Sequence, residues 1–212
     1  MVEPRPGKGE HTRQVILQRA FALAAQGSLA AVSIGRLAEE SGLSKSGLFA
    51  HFGSKEALDV AIVGWATDQF VREVVAPSLR APRGEPRVRA LIDRWVEWGQ
   101  RPGGCFFVAA AVELDDQRGP PRDALDQSIR DWLDALATAA RIAVDEHHFR
   151  ADLDPAQFAF EGYGLMLGAH FYLRFLRDPS ALVRIRASFD DLIHRARATD
   201  AGKGRGRPAP RP

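Results

Sequence analysis

The chain has 212 residues, with 29 Lys and Arg against 27 Asp and Glu and a single cysteine. At 45% hydrophobic and 26% charged residues, it has the composition of a soluble globular protein that can bury a sizeable core. One cysteine excludes a disulfide framework and a cysteine-rich zinc site, and it suits a reducing cytosol. Since neither a signal peptide nor an apolar run of membrane-spanning length is visible, we expect a cytoplasmic protein without membrane association.

The small net charge of +2 hides an uneven distribution. Residues 1–55 carry 7 basic and 4 acidic side chains, residues 56–198 carry 18 and 22, and residues 199–212 carry 4 and 1. A basic beginning, an acidic middle and a basic end indicate that a polyanion would bind near the termini. A few surface charges would give the same pattern, so the inference needs a motif to support it.

Apolar residues recur every three or four positions along the whole chain, with Pro and Gly between segments, and this predicts an all-α protein. Residues 1–10 are expected to form a flexible arm. About nine helices should follow. We predict them at 12–26, 34–40, 45–52, 55 to the Pro- and Gly-containing break at 81–86, 87–100, 105–116, 122–147, 155–177 and 179–197.

Two short helices joined by a Gly-containing turn are predicted between residues 33 and 52. Ser33 and Ser44 are placed to cap their N-termini. The second helix begins with slim and polar residues, as a recognition helix needs if it is to enter the major groove. Helical hairpins of this kind also occur as purely structural units, so the pattern alone leaves both interpretations open.

The residue string in this region closely resembles the N-terminal domain of the TetR/AcrR family of transcriptional regulators. The matching segments are Leu37-Ala38, Gly42-Leu43-Ser44, Gly47-Leu48-Phe49-Ala50-His51-Phe52 and Ser54-Lys55-Glu56-Ala57-Leu58. The resemblance covers about residues 10–65, and beyond them it extends only to helix count, length and position. It implies a three-helix helix-turn-helix DNA-binding domain at 11–55 and a helical ligand-binding and dimerisation domain at 56–198.

The resemblance also implies DNA contacts at eight positions. Phosphate contacts are expected from Ser33, Ser44, His51 and Lys55, and base-facing positions are Lys45, Ser46 and Gly47. Phe49 stands where the family often has Tyr, so we expect it to pack without a phosphate hydrogen bond. Two alternatives stay open: Ser44 only caps its helix, and His51 only packs on the turn.

The family usually places an apolar ligand cavity between helices of the C-terminal domain. The candidate lining residues are Trp65, Phe70, Trp95, Trp98, Phe107, Trp132, Tyr163, Met166 and His170, with Glu113 as a further polar group that could orient a ligand. An aromatic stripe is also typical of plain core, and a solvated Glu113 is the alternative for that side chain.

The last two helices are predicted to form a homodimer interface at about residues 155–197. The first is apolar nearly all round, which indicates burial on more than one side. Gly162 and Ala169 are expected to let a partner helix approach closely. The last helix has Leu182, Ile185, Phe189, Leu192 and Ala196 at the spacing of a helix–helix seam. Core helices of a monomer are the alternative.

No catalytic motif, cofactor fingerprint or metal-ligand spacing stands out in the sequence. His147 and His148 are adjacent, and neighbouring side chains on a helix point about 100° apart, so we expect no metal site there. Cys105 is compatible with a redox-sensitive thiol or with an inert buried one. In the tail at 199–212, Arg205-Gly206-Arg207-Pro208 resembles the core of an AT-hook, with a solvated disordered tail as the alternative.

The sequence therefore predicts a non-enzymatic, homodimeric regulator that binds double-stranded operator DNA, and a repressor released by a small apolar ligand fits it best. The alternative is an all-helical small-molecule-binding or carrier protein without DNA binding. A carrier would have no use for the polar start of the recognition helix.

Overall fold

The computed structural model describes residues 8–198, and in that part the chain forms nine α-helices and no strand beyond an isolated bridge between Phe149 and Arg197. The helices are α1 (Lys8–Gln26), α2 (Ile34–Ser41), α3 (Lys45–Phe52), α4 (Lys55–Phe70), α5 (Glu85–Gly99), α6 (Phe106–Leu114), α7 (Pro120–Asp145), α8 (Pro155–Arg174) and α9 (Ala181–Ala196). Helix α4 continues through a π-helical segment (Val71–Val75) and a short α-helical turn (Ala76–Ser78). The predicted all-α class is confirmed.

Helix α1 begins earlier than predicted, at Lys8, so the last positions assigned to the flexible arm are helical. The rest of that arm, residues 1–7, lies outside the described residues, and so does the predicted basic tail at 199–212. Within the described part, no helix is both long enough and apolar enough to span a membrane.

The short helices of the N-terminal part have clear start and stop signals. The hydroxyl oxygens of Ser33, Ser44 and Ser54 each accept the backbone N–H three residues later, at 3.0–3.1 Å. Each N-cap of this kind stabilises a helix by about 1 kcal/mol. Gly42 and Gly53 follow α2 and α3 at φ of 69° and 76°, a region that favours glycine. These local signals explain why α2 and α3 lie where the sequence predicts them.

Helix α4 joins the N-terminal helices to the remainder of the chain. Its buried residues Leu58 and Ile62 belong to one continuous core with Leu37 of α2 and Leu48 of α3. Farther along, α4 packs against α7, and its last residue, Phe70, contacts Trp132 there. A displacement of α4 would therefore change packing both in the N-terminal helices and in the C-terminal helices.

The apolar stripe of α9 packs inside the subunit. Ile185, Phe189 and Leu192 are all buried, and α9 packs against α8. Gly162 of α8 lies against Phe189 and Leu192, and Ala169 is also buried. The prediction that Gly162, Ala169 and the α9 stripe face a partner is therefore wrong. Periodicity identifies the apolar face of a helix but not the surface that covers it.

Candidate functional site

Helix α3 presents a slim, exposed surface. Lys45, Ser46 and Phe49 are exposed, Phe49 by 50%, whereas Leu48 and Phe52 on the opposite side are buried. The side chain of Lys45 runs along Gly35 in the first turn of α2, so the starts of the two helices form one continuous surface. This surface has the shape and polarity that a major-groove helix needs.

The other predicted DNA-contacting residues border this surface. Ser33 and Ser44 are exposed at the N-termini of α2 and α3, while Gly47 and His51 are half-buried. Both serine hydroxyls act as helix caps, as predicted. An N-cap bond uses only a lone pair of the hydroxyl oxygen, so the hydroxyl hydrogen of Ser33 can donate to a phosphate. The hydroxyl of Ser44 also lies 3.0 Å from that of Ser46, so one of these two hydroxyls donates to the other and the other keeps its hydrogen for DNA. A Cβ at Gly47 would lie 3.2 Å from the Ser44 hydroxyl oxygen, so the missing side chain also protects the cap.

Lys55 is placed differently from its predicted role as a free phosphate contact. Its ammonium donates to the carbonyl of Leu29 at 2.8 Å and forms an ion pair with Asp59. The side chain is only 37% exposed. Burial raises the pKa of Asp59, Lys55 opposes that rise, and Glu113 adds to it. Lys55, at the start of α4, therefore stabilises the loop between α1 and α2 through its bond to Leu29.

Glu113 holds the same loop from the other side. Its two carboxylate oxygens accept the backbone N–H groups of Leu29 and Ala30 at 2.8 and 2.7 Å. We call Leu29, Ala30, Lys55, Asp59 and Glu113 the junction. Glu113 does not line the cavity, so its expected part in orienting a ligand is wrong, and so is the solvated alternative.

An aromatic contact accompanies the junction. Phe21 of α1 packs against Trp65, Phe106 and Trp98, with ring centroids 4.8, 5.3 and 6.5 Å away. Trp65 and Trp98 therefore serve the packing between α1 and the C-terminal helices and do not line the cavity as predicted.

A cavity of about 160 Å³ lies between α4 with its extension, α5, the start of α6, α7 and α8. Of the predicted residues, Phe70, Trp95, Phe107, Trp132 and Tyr163 line it. The lining residues that sequence analysis did not select for it are Thr67, Val71, Val75, Cys105, Ser128, Ile129, Asp131 and Ala135. Thr67, Ser128 and Asp131 were missed because their surroundings depend on how α4 and α7 pack.

Met166 and His170 line a separate hollow of about 10 Å³ and not the main cavity. A space of that size holds about one water molecule at most. Burial, together with Arg174, lowers the pKa of His170, so its imidazole is neutral at pH 7. The predicted role of Met166 and His170 as cavity residues is wrong, because both lie on the side of α8 that faces α9.

The cavity walls are mostly neutral. Burial raises the pKa of Tyr163 to about 12 and also raises the pKa of the Cys105 thiol, so both are protonated at neutral pH. The hydroxyl oxygens of Thr67 and Ser128 lie 2.9 Å apart. The indole nitrogen of Trp132 is buried with no hydrogen-bond partner among the described residues. An inert buried thiol is therefore the interpretation of Cys105 that the geometry favours.

The outer face of α8 is apolar and open. Phe160 and Phe175 are 72% and 75% exposed, and Leu167 and Phe171 lie exposed between them. A Cβ at Gly164 or Gly168 would meet nothing within 4 Å. We call these six residues the α8 face. The spacing of three and four residues is the signal of this face in the sequence, whereas the predicted close approach at Gly162 and Ala169 lies on the other side of the helix.

Two family descriptions match the chain. "Bacterial regulatory proteins, tetR family" matches residues 16–62, which include α2 and α3, and "Tetracyclin repressor-like, C-terminal domain" matches residues 84–189. The chain belongs to the TetR family. It is therefore a DNA-binding transcriptional regulator, and the predicted helix-turn-helix is confirmed. Comparison with curated proteins gives no match.

Solved structures of TetR-family regulators share the whole architecture. A regulator from Chloroflexus aurantiacus is 25% identical, with a TM-score of 0.79, covering 91% of this chain and 99% of its own. One from Cytophaga hutchinsonii is 22% identical, with a TM-score of 0.81 and coverage of 93% and 100%. AibR, solved in complex with isovaleryl coenzyme A and operator DNA, is 20% identical, with a TM-score of 0.71 and coverage of 87% and 99%.

TetR-family regulators are generally not enzymes. Within the part of the chain that the structure describes, no group of three or more His, Cys, Asp or Glu side chains could hold a metal ion.

Proposed function

We propose that this TetR-family protein is a homodimeric repressor that leaves its operator when a small, largely apolar molecule enters the cavity. The observation that carries the proposal is the position of α6. Phe107 at its beginning lines the cavity, and Glu113 at its end holds the loop between α1 and α2. AibR, a structural neighbour, was solved with both a small molecule and operator DNA, which supports the same division of labour here.

On the DNA side, we propose that Lys45 and Ser46 reach base edges, with Gly47 allowing close approach. Ser33, Ser44 and His51 would contact the sugar–phosphate backbone, and the exposed ring of Phe49 would pack against it or against a thymine methyl group. Lys55 contributes by fixing the loop that precedes α2. The proposed boundary between the DNA-binding domain (11–55) and the C-terminal domain (56–198) then falls in the first turn of α4.

We propose that the α8 face pairs with the α8 face of a second copy. Large apolar side chains that are more than two-fifths exposed form one continuous stripe there, and monomeric proteins rarely expose such patches without a function. Gly164 and Gly168 have open space above them, so two helices can approach closely. A two-fold axis places one recognition helix on each half-site of an operator, about 34 Å apart or a multiple of that distance.

Release would follow from a preference of the ligand for one of two arrangements of α6. A ligand that contacts Phe107 and binds one arrangement more tightly would shift a helix of nine residues, about 13 Å long, whose far end is bonded to the backbone of Leu29 and Ala30. The N-terminus of α2 follows directly on this loop. The path through α6 thus acts beside α4, which also joins the N-terminal helices to the remainder of the chain.

The test is to select operator sequences from a random duplex library and to measure binding of the best one by fluorescence anisotropy. Lys45→Ala should lower the affinity and change the preferred sequence. Arg141→Ala removes a positive charge from the exposed side of α7 and should change neither. If the selection yields no preferred sequence and the protein binds no duplex at low salt, the proposed base contacts of Lys45 and Ser46 and the proposed repression both fail.

A further inference from the structure

We propose that the cavity takes a monocyclic aromatic amine with an oxygen substituent on its ring, bound with its ring inside and its protonated amine beside Asp131. This inference rests on the proposed function, because it assumes that the cavity is the effector site. It follows from the size of the cavity, the chemistry of its walls and the charge at its opening.

The size of the cavity fits one ring. Its volume is about 160 Å³, and an engineered apolar cavity of about 150 Å³ in another protein binds benzene. Drug-sized ligands usually occupy pockets of about 300 Å³ or more. A single ring with a short substituent therefore fits within this volume, whereas a bicyclic ring system would have to displace side chains or remain partly outside the cavity.

The walls favour an aromatic guest that also carries a positive charge. Trp132 lies between Phe70 and Trp95, with ring centroids 4.9 and 5.1 Å away and rings nearly perpendicular. Aromatic walls of this kind stabilise a guest ring by edge-to-face contacts and attract a cation to the ring faces. The buried indole N–H of Trp132 has no acceptor among the described residues, and an oxygen on the guest ring would supply one.

The charge at the opening of the cavity determines which ligand charge is favoured. Asp131 is exposed and is the one charged group among the described lining residues. It accepts the amide of Gln127 at 2.7 Å, and no ion pair with it occurs in the described part of the chain. The neighbouring Arg130 is bonded to Asp126 at 2.7 Å. A carboxylate or phosphate ligand would meet Asp131 without a cation to balance it, whereas an ammonium group would pair with it.

Four small probes separate these features. Tyramine, tyrosol and 4-hydroxyphenylacetate share a phenol ring and differ in charge, and 2-phenylethylamine lacks the ring oxygen. Binding is followed by quenching of tryptophan fluorescence, and release by the anisotropy of the selected operator. We expect tyramine to bind at least about tenfold more tightly than 4-hydroxyphenylacetate. It should also bind more tightly than tyrosol and 2-phenylethylamine.

Asp131→Asn should weaken tyramine binding roughly threefold, as for an exposed ion pair, and leave tyrosol unaffected. Asp134→Asn removes the same charge from an exposed position of α7 that does not line the cavity and should change neither. If the acid or the alcohol binds as well as tyramine, or if no probe binds, the proposed ligand class is overturned. If tyramine binds in this order but never releases the operator, the ligand class stands and the proposed repressor mechanism fails.

Discussion

The carboxylate of Glu113 accepts the backbone N–H of Leu29 at 2.8 Å, across 84 positions of the chain. The carbonyl of the same Leu29 accepts the ammonium of Lys55, also at 2.8 Å. The loop before the helix-turn-helix is therefore held through the backbone N–H and carbonyl of Leu29. The N–H bonds a side chain of α6, and the carbonyl bonds a side chain of α4. A movement of either helix must break a bond at Leu29 or carry the loop with it.

Glu113→Gln tests this connection. The amide keeps one oxygen acceptor and places an NH₂ group against a backbone N–H, so one bond is lost and one donor is left facing another. We expect the free energy of unfolding in urea to fall by about 1–3 kcal/mol. Ligand-induced release of the operator should become weaker, because α6 no longer holds both N–H groups.

The matched control is Glu97→Gln, on an exposed position of α5 with no bond to the loop. It should leave both the unfolding free energy and the release unchanged. A Glu113→Gln protein with normal release would show that the signal travels through α4 alone.

Phe160→Glu tests the α8 face as the dimer interface. The side chain is 72% exposed in the subunit, so the change should cost the monomer little stability. Two charges would meet an apolar surface across the two-fold axis, and we expect the dimer dissociation constant to rise by at least about a hundredfold. Sedimentation equilibrium measures it, and Leu79→Glu, at another exposed apolar position, should leave it unaltered. A Phe160→Glu protein that remains dimeric would place the interface elsewhere.

The free energy of unfolding should depend on acid pH through Glu85. Arg197 and Arg89 hold the pKa of this carboxyl at about 2, below its usual value of 4.5. A carboxyl whose pKa is lower in the folded state stabilises the fold above its unfolded pKa, and that stabilisation is lost as the pH falls through the folded pKa. The contribution should thus be complete above about pH 5 and disappear between pH 4.5 and 2.

Glu85→Gln should lower the free energy of unfolding at pH 7 by about 1 kcal/mol, since Arg197 is itself half exposed and solvent screens the pair. The loss of stability between pH 5 and 2 should become shallower in this variant, as measured by urea denaturation at each pH. Glu146→Gln removes an exposed partner of Arg83 and should have a smaller effect. Equal slopes for the Glu85→Gln variant and the unaltered protein would contradict the assignment.

The structural features that could be predicted from the sequence were those whose interacting residues lie close together along the chain. Ser44 was correctly placed at the start of α3 because cap signals act within three or four positions. The family motif likewise lies in one continuous string. Phe70 and Trp132 could be assigned to the cavity because long apolar side chains on amphipathic helices face inward whatever their exact partner.

The errors concerned partners that are far apart in sequence. Nothing in the sequence near Glu113 indicates that it reaches Leu29, and Lys55 carries the same charge whether it faces DNA or Asp59. Gly162 and Gly164 differ by two positions and therefore by about 200° around the helix axis. The sequence shows both as small residues, and only the packing of α9 decides which one is covered.

Lys55→Met distinguishes a supporting role of Lys55 from a direct phosphate contact. The change leaves the carbonyl of Leu29 and the partly buried Asp59 without their cation, so we expect the free energy of unfolding to fall by about 1–3 kcal/mol and operator affinity to fall equally for all sequences. The salt dependence of binding should stay the same, whereas losing a phosphate contact would lower its slope by about 0.9. Lys45→Met is the control: it removes an exposed charge from α3 and should alter DNA binding without destabilising the fold. Adding Asp59→Asn to Lys55→Met should restore part of the stability, because the unpaired carboxylate is then gone. A Lys55→Met protein with normal stability and a shallower salt slope would return this residue to the DNA interface.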